Sequence, residues 1–200
     1  MNKKFAAVSL GLVLTLTTCH SANAIADETQ DTKLNSRINI EKSNALDVMF
    51  EDDSLDILFT IVEEDLAQKK LDYNTEKMNR AVSKLKKKLH SSYGLGGSQP
   101  GWWDCSGLVR WFYGQLDIEV RHSATAQAHL GKKVKTPKVG DIVAFHYGSS
   151  RYSFHTGIYV GDGKVLHAYN YVSDTIISDV KDIANENGAW VTYRRLIETN

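Results

Sequence analysis

Cysteine is scarce in this sequence. Of 200 residues only Cys19 and Cys105 carry a thiol, which excludes a disulfide-rich scaffold and leaves the fold to a packed core. Net charge is lacking too. The 24 Lys and Arg balance the 24 Asp and Glu, so no global field draws the chain to nucleic acid or anionic lipid. The apolar stretch from Phe5 to Leu16 is too short to span a bilayer comfortably. No internal repeat is apparent, and no close pair of metal ligands stands at the usual spacings. What is present is enough for a core: 42% of residues are apolar and 10% aromatic, against the low hydrophobicity and high net charge of a disordered chain.

The first residues read as a processing signal. Lys3 and Lys4 form a positive n-region, Phe5 to Leu16 the apolar region, and Ala22-Asn23-Ala24 a small-x-small cleavage site. Residues 1–24 are therefore expected to be a secretory signal peptide, and the protein to be exported, periplasmic or secreted. A second processing route competes. Leu16-Thr17-Thr18-Cys19 resembles a lipobox that would anchor a lipoprotein through Cys19, although Thr18 stands where a smaller residue is usual. Cleavage after Ala24 leaves Cys105 as the single thiol. It cannot then be an intramolecular staple; it is a buried small hydrophobe, an intermolecular bridge or a working nucleophile.

Residues 25–74 read as a polar leader with a helix in it. Asp53 or Ser54 is placed to cap that helix, and Leu55, Leu58, Phe59, Val62 and Leu66 fall on one face. Asn74 is placed to cap a second helix, with Met78, Ala81, Val82, Leu85 and Leu89 as its stripe. The basic run Lys84, Lys86, Lys87 and Lys88 reads as the solvated side of that helix. Residues 91–101 are rich in Ser and Gly and form a loop ending at Trp102-Trp103-Asp104-Cys105-Ser106-Gly107. Leu108, Val109, Trp111, Phe112 and Leu116 then repeat at helical spacing. Cys105 thus sits where a loop enters a helix, with Asp104 or Ser106 as cap. Strands are expected over residues 141–147, 155–160, 164–170 and 191–197. Helices first and antiparallel strands afterwards predict an α+β domain over 75–200.

That placement has chemical meaning. A helix N-terminus favours a thiolate, and the thiolate is the nucleophile. A base is needed as well, and His90, His122, His129, His146, His155 and His167 are the candidates that survive signal cleavage. His155 and His167 flank a hairpin turning at Gly161-Asp162-Gly163. A two-residue turn at Asp162-Gly163 would set the two imidazoles on opposite faces. A three-residue turn pairs His155 with Tyr169 and Gly157 with His167, so both imidazoles share one face, with Gly157 leaving room beside His167. His155 is then the base for Cys105, and His167 the group that orients it. A zinc site built from Cys105, His146, His155 and His167 is the competing reading of the same residues.

The ordered set Tyr93-Gly94-Leu95-Gly96-Gly97, Asp104-Cys105-Ser106-Gly107-Leu108-Val109, Arg121-His122-Ser123, Gln127, Val139-Gly140-Asp141-Ile142-Val143-Ala144-Phe145, His155-Thr156-Gly157-Ile158-Tyr159-Val160-Gly161 and Val165-Leu166-His167-Ala168 resembles the NlpC-type cell-wall peptidases, a papain-like group of cysteine hydrolases. It covers roughly residues 75–197. The resemblance implies a papain-like fold, with Cys105 as nucleophile, His155 as base, His167 as polar third member, and no cofactor. It implies that Tyr93 helps the oxyanion site and that Asp104 and Ser106 contact substrate. The substrate it implies is a peptidoglycan stem peptide, cut between D-glutamate and a diamino acid. Leu95 and Ser92 depart from the aromatic and Pro frequent at their positions, which bears on substrate preference. A thiol amidase or acyltransferase on cell-wall or lipid substrates is the alternative activity, and a binding module with an inactive site a third. Residues 43–72, outside the match, are expected to regulate access to the site; no protein regulator is identified.

Overall fold

A computed structural model describes residues 54–149 and 151–200. The expected signal peptide, the lipobox-like stretch at Cys19, the expected leader up to residue 53 and the candidate cap Asp53 lie outside them.

One helix, α1 (Ser54–Lys86, 33 residues), replaces the two expected. Its sequence holds no Gly or Pro and is rich in Leu, Lys and Glu, so nothing in it breaks the hydrogen-bond ladder. Asn74 is not a cap. It sits mid-helix and donates through Nδ2 to the Glu198 carbonyl, a tertiary partner that the spacing could not foretell. Only the C-terminal part of α1 buries a full face: Met78, Ala81, Val82 and Leu85. In the N-terminal part Ile57, Leu58 and Ile61 are each more than half exposed. Lys84, Lys86 and Lys87 are solvent-facing, as their pattern predicted.

A Gly-rich loop follows, pinched by the short pair β1 (Ser98–Gln99) and β2 (Trp102–Trp103). It feeds α2 (Cys105–Gly114). After the single turn α3 (Ala124–Gln127) come β3 (Lys132–Val134), β4 (Ile142–Tyr147), β5 (Ser153–Gly161), β6 (Lys164–Asn170), β7 (Asp174–Asp179), α4 (Val180–Glu186) and β8 (Ala189–Arg195). The last six strands form one antiparallel sheet in the order β3-β8-β4-β5-β6-β7.

Alternation along the strands divides two cores. Ile142, Ile158, Leu166 and Ala168 pack with Leu108, Val109 and Phe112 of α2 and with the buried stripe of α1. Val143, Phe145 and Val165 pack with Val180 and Ile183 of α4 on the other face. Each fully buried Leu, Ile or Phe contributes roughly 2 kcal/mol. Asp141 and Arg195 tie β4 to β8: Arg195 Nε and Nη2 donate to Asp141 Oδ1 and Oδ2 at 3.1 and 2.8 Å, both side chains being nearly buried. β3, β7 and α4 were not legible in the sequence. β7 is an edge strand of only six residues with Asp at both ends, and its apolar pair Ile176-Ile177 does not alternate.

The hairpin between β5 and β6 reaches the expected register by an unexpected route. The turn has two residues, Asp162 (φ 51°) and Gly163 (φ 73°), both left-handed, the I′ pattern that matches strand twist. A bulge between Tyr159 and Gly161 then shifts the register by one, giving Tyr159↔Val165 and Ile158↔Leu166. The turn plus the bulge does what the three-residue turn was expected to do. Extended along the strands, this register sets Gly157 across from His167.

Candidate active site

Cys105 is the first residue of α2. Asp104, extended at φ −95°, is its N-cap and accepts from Gly107 N–H at 2.8 Å, an interaction worth about 1 kcal/mol to a helix. The same carboxylate gathers three more donors: Ser106 Oγ at 2.9 Å, Gly96 N–H at 2.9 Å and His122 Nε2 at 2.9 Å. Burial opposes its charge, but the donors from Gly107, His122, Gly96 and Ser106 hold the carboxyl below its ordinary range. Asp104 thereby fastens the Gly-rich loop to the head of α2. Ser106 is buried against it. The structure brings both residues beside the nucleophile, with their side-chain oxygens hydrogen-bonded within the protein.

The Cys105 sulfur lies beside β5 at Thr156, the residue after His155, where the Thr156 and Ser106 N–H groups favour its charged form. Gln127 locks this meeting from below. Its Nε2 donates to the Ser106 and Arg121 carbonyls at 2.8 and 2.9 Å, and its Oε1 accepts from Thr156 Oγ1 at 3.0 Å. Tyr93 stands beside the thiol. Burial, then the adjacent Cys105 and Asp104, raise its phenol above the usual value. Its ring meets Tyr171 edge-on at 4.8 Å, and its N–H donates to Asp174 Oδ1 at 3.0 Å.

The two histidines are brought together. His155 Nε2 lies 2.7 Å from His167 Nδ1, the ring planes crossing at 82°. His155 is 7% exposed and His167 not at all. Gly157 is what lets them meet: a Cβ built there would lie 2.8 Å from His167 Cβ and 2.6 Å from Val165 Cγ2. His167 Nε2 in turn lies 3.0 Å from Ser178 Oγ on β7. Ser178, Thr156, Tyr171 and Asp174 belong to the site, and the sequence reading missed all four as its residues. Three of them sit on or before β7, which carried no signal.

Burial dominates the electrostatics. It pushes the Cys105 thiol up to about 11, against the pull of the Thr156 N–H, and the Asp104 charge adds to the rise. It pushes His155 down to about 4, with Asp104 acting the other way, and His167 well down. The helix terminus was expected to favour the thiolate; at rest desolvation outweighs it, so thiol and imidazoles are neutral. His146, the remaining member of the competing zinc set, is elsewhere. It stacks on Trp190 at 4.2 Å and bonds Thr192 Oγ1 at 2.9 Å. Among the described residues no group of three or more His, Cys, Asp or Glu is placed to hold a metal.

The model of the NlpC/P60 family matches residues 90–192, half of the chain, and that stretch contains Cys105, His155, His167 and their partners. The chain belongs to the NlpC/P60 family. A probable endopeptidase of Mycobacterium tuberculosis is 42% identical over 81 residues, 40% of this chain and 20% of that protein. A probable endopeptidase of Corynebacterium glutamicum is 40% identical over 100 residues, 49% of this chain and 45% of that one. The chain thus spans from a fifth to less than half the length of these curated relatives. Among solved structures, NlpC2 of Trichomonas vaginalis is 32% identical with a TM-score of 0.52, over 60% of this chain and 46% of that one. The NlpC/p60 domain of the peptidoglycan hydrolase SagA is 25% identical with a TM-score of 0.51, over 59% of this chain and 98% of that domain. The α+β fold is the papain-like fold of NlpC/P60 domains.

Proposed function

We propose that this protein is an exported cysteine endopeptidase that hydrolyses peptidoglycan stem peptides, cutting between D-glutamate and a diamino acid. The observation that carries the reading is the 2.7 Å pair of buried histidines on β5 and β6, together with a thiol on the first residue of α2 that lies against β5 at Thr156, the neighbour of His155. Membership of NlpC/P60 and the likeness to the SagA domain support the substrate class; the bond cut rests on the resemblance of the motifs.

In this reading the resting pair is neutral, so His155 acts as a general base during attack and not as a preformed imidazolium. Its Nε2 is committed to His167, which leaves Nδ1 for the Cys105 proton. The sulfur attacks the scissile carbonyl carbon, the thiol proton passes to His155, and the amine leaves with that proton, giving a thioester. Water then gives a proton to His155 and its oxygen to the acyl group, releasing the acid and restoring the thiol. Tyr93 is the side chain best placed to donate to the developing oxyanion. Asp104 and Ser106 act by holding the loop. Leu95, Trp102, Tyr171 and Val172, all well exposed, give this part of the surface an apolar rim for the peptide.

Purified protein digested with muropeptides, with the products read by mass spectrometry, tests the proposal. Fragments ending in D-glutamate, absent with Cys105→Ala, are expected. Release of the whole stem peptide with a free N-terminal amine from the glycan, or transfer of an acyl group, would favour the amidase or acyltransferase reading, and unchanged activity in Cys105→Ala would end the thiol mechanism. Export is tested separately, by the N-terminal residue of the protein recovered outside the cytoplasm: Ile25 for signal cleavage, lipidated Cys19 for the anchored form.

A further inference from the structure

The histidine pair does not end at His167. A base for the Cys105 proton needs a free lone pair on His155 Nδ1. A neutral imidazole carries a single proton, so that proton must sit on Nε2, donated to His167 Nδ1 at 2.7 Å. His167 Nδ1 must then be the bare nitrogen, and its own proton must sit on Nε2. That N–H is fully buried with the ring and has to find an acceptor. The oxygen in reach is Ser178 Oγ, at 3.0 Å.

Strand pairing explains how the serine gets there. His167 pairs with Ile176 and Val165 with Ser178, so Ser178 is the diagonal neighbour of His167 on the same face of the sheet. It lies on the edge strand β7 and is half-buried, so its hydroxyl proton can turn toward solvent and leave the oxygen free to accept.

We propose that Ser178 is a positioning residue of the active site: by accepting from His167 Nε2–H it fixes the tautomer of His167, and through it that of His155, in the form able to take the Cys105 proton. The relay runs Cys105, His155, His167, Ser178, one residue longer than the motifs indicate, and each hydrogen bond polarises the next. The inference rests on the thiol-hydrolase reading for its catalytic consequence, but the tautomer it assigns is a property of the resting protein.

The test joins nitrogen-15 NMR of the histidine side chains with kinetics on muropeptides. In the wild-type protein His167 is expected to show a protonated Nε2 and a bare Nδ1. In Ser178→Ala those nitrogen shifts move toward averaged values, kcat falls about tenfold, the worth of one buried hydrogen bond, and KM stays put. Ser178→Thr restores both. A wild-type His167 protonated at Nδ1 overturns the proposal outright, whatever the variants do. So does a Ser178→Ala protein with unchanged shifts, or a loss of kcat that Ser178→Thr fails to rescue. If the wild-type protein cleaves no muropeptide, the proposed function fails, and the nitrogen shifts alone still decide the relay.

Discussion

Acid should loosen this protein well above the range where carboxylates titrate, because of the buried histidines. Burial lowers His155 from 6.5 to about 4. At 1.36 kcal/mol per pKa unit, that shift corresponds to roughly 3 kcal/mol between the two protonation states. The sign follows from proton counting. Below pH 6.5 the unfolded chain binds a proton that the folded site refuses, so stability falls as pH falls. The loss begins near pH 6.5, proceeds at up to about 1.4 kcal/mol per unit, and levels off near pH 4, where the folded imidazole also titrates. Between pH 7 and pH 5 His155 alone should remove about 2 kcal/mol, and His167, lowered in the same direction, adds to it. Asp104 has the opposite habit. Its folded carboxyl is held below the usual range, so its contribution is intact above about pH 4 and does not enter this window. Urea unfolding at pH 7 and pH 5 measures the effect, with His155→Asn/His167→Asn as the control. The wild-type protein should lose at least about 2 kcal/mol more than the double variant over that interval. Equal losses would refute the assignment of neutral, desolvated imidazoles at this site.

Three further outcomes are expected. The Cys105 thiol, pushed up to about 11, should be alkylated by iodoacetamide at a rate that climbs about tenfold per pH unit from pH 7 to 9 without levelling; a plateau near neutral pH would instead reveal a preformed thiolate. Gly157→Ala would drive a methyl to within 2.8 Å of His167 Cβ, so a loss of about 1–3 kcal/mol in unfolding free energy should accompany a drop in kcat as the imidazoles part. Asp141→Ala strands the nearly buried Arg195, whose fork it receives; a destabilisation of about 3 kcal/mol with kcat of the folded fraction intact is expected from chemical denaturation and steady-state assays.

Local patterns were readable because they depend on neighbours in the chain. Asp104 as a cap three residues before an unpaired N–H, the strand alternation over β4 to β6, and the parity that aligns His155 with His167 are all short-range facts. Asn74 misled because propensity ranks it as a cap, whereas the Glu198 carbonyl, far along the chain, gave it a partner inside a continuous helix. The hairpin turn misled in length but not in consequence, since the bulge beside Gly161 restored the register. β7 left no trace, and with it went Ser178 and Asp174: six residues at a sheet edge have too little apolar alternation to register.

The sequence by itself determined that a lone thiol would stand at the entrance of a helix and that two imidazoles would share one face of a hairpin. Periodicity and capping are enough for that. Only the tertiary structure decided the charge state of these groups and the company they keep. Desolvation depends on everything packed around a site, so it raised the thiol and lowered the imidazoles against the local pull of the helix. The partners of Cys105 and His167, Thr156 and Ser178, come from strands that only folding brings alongside.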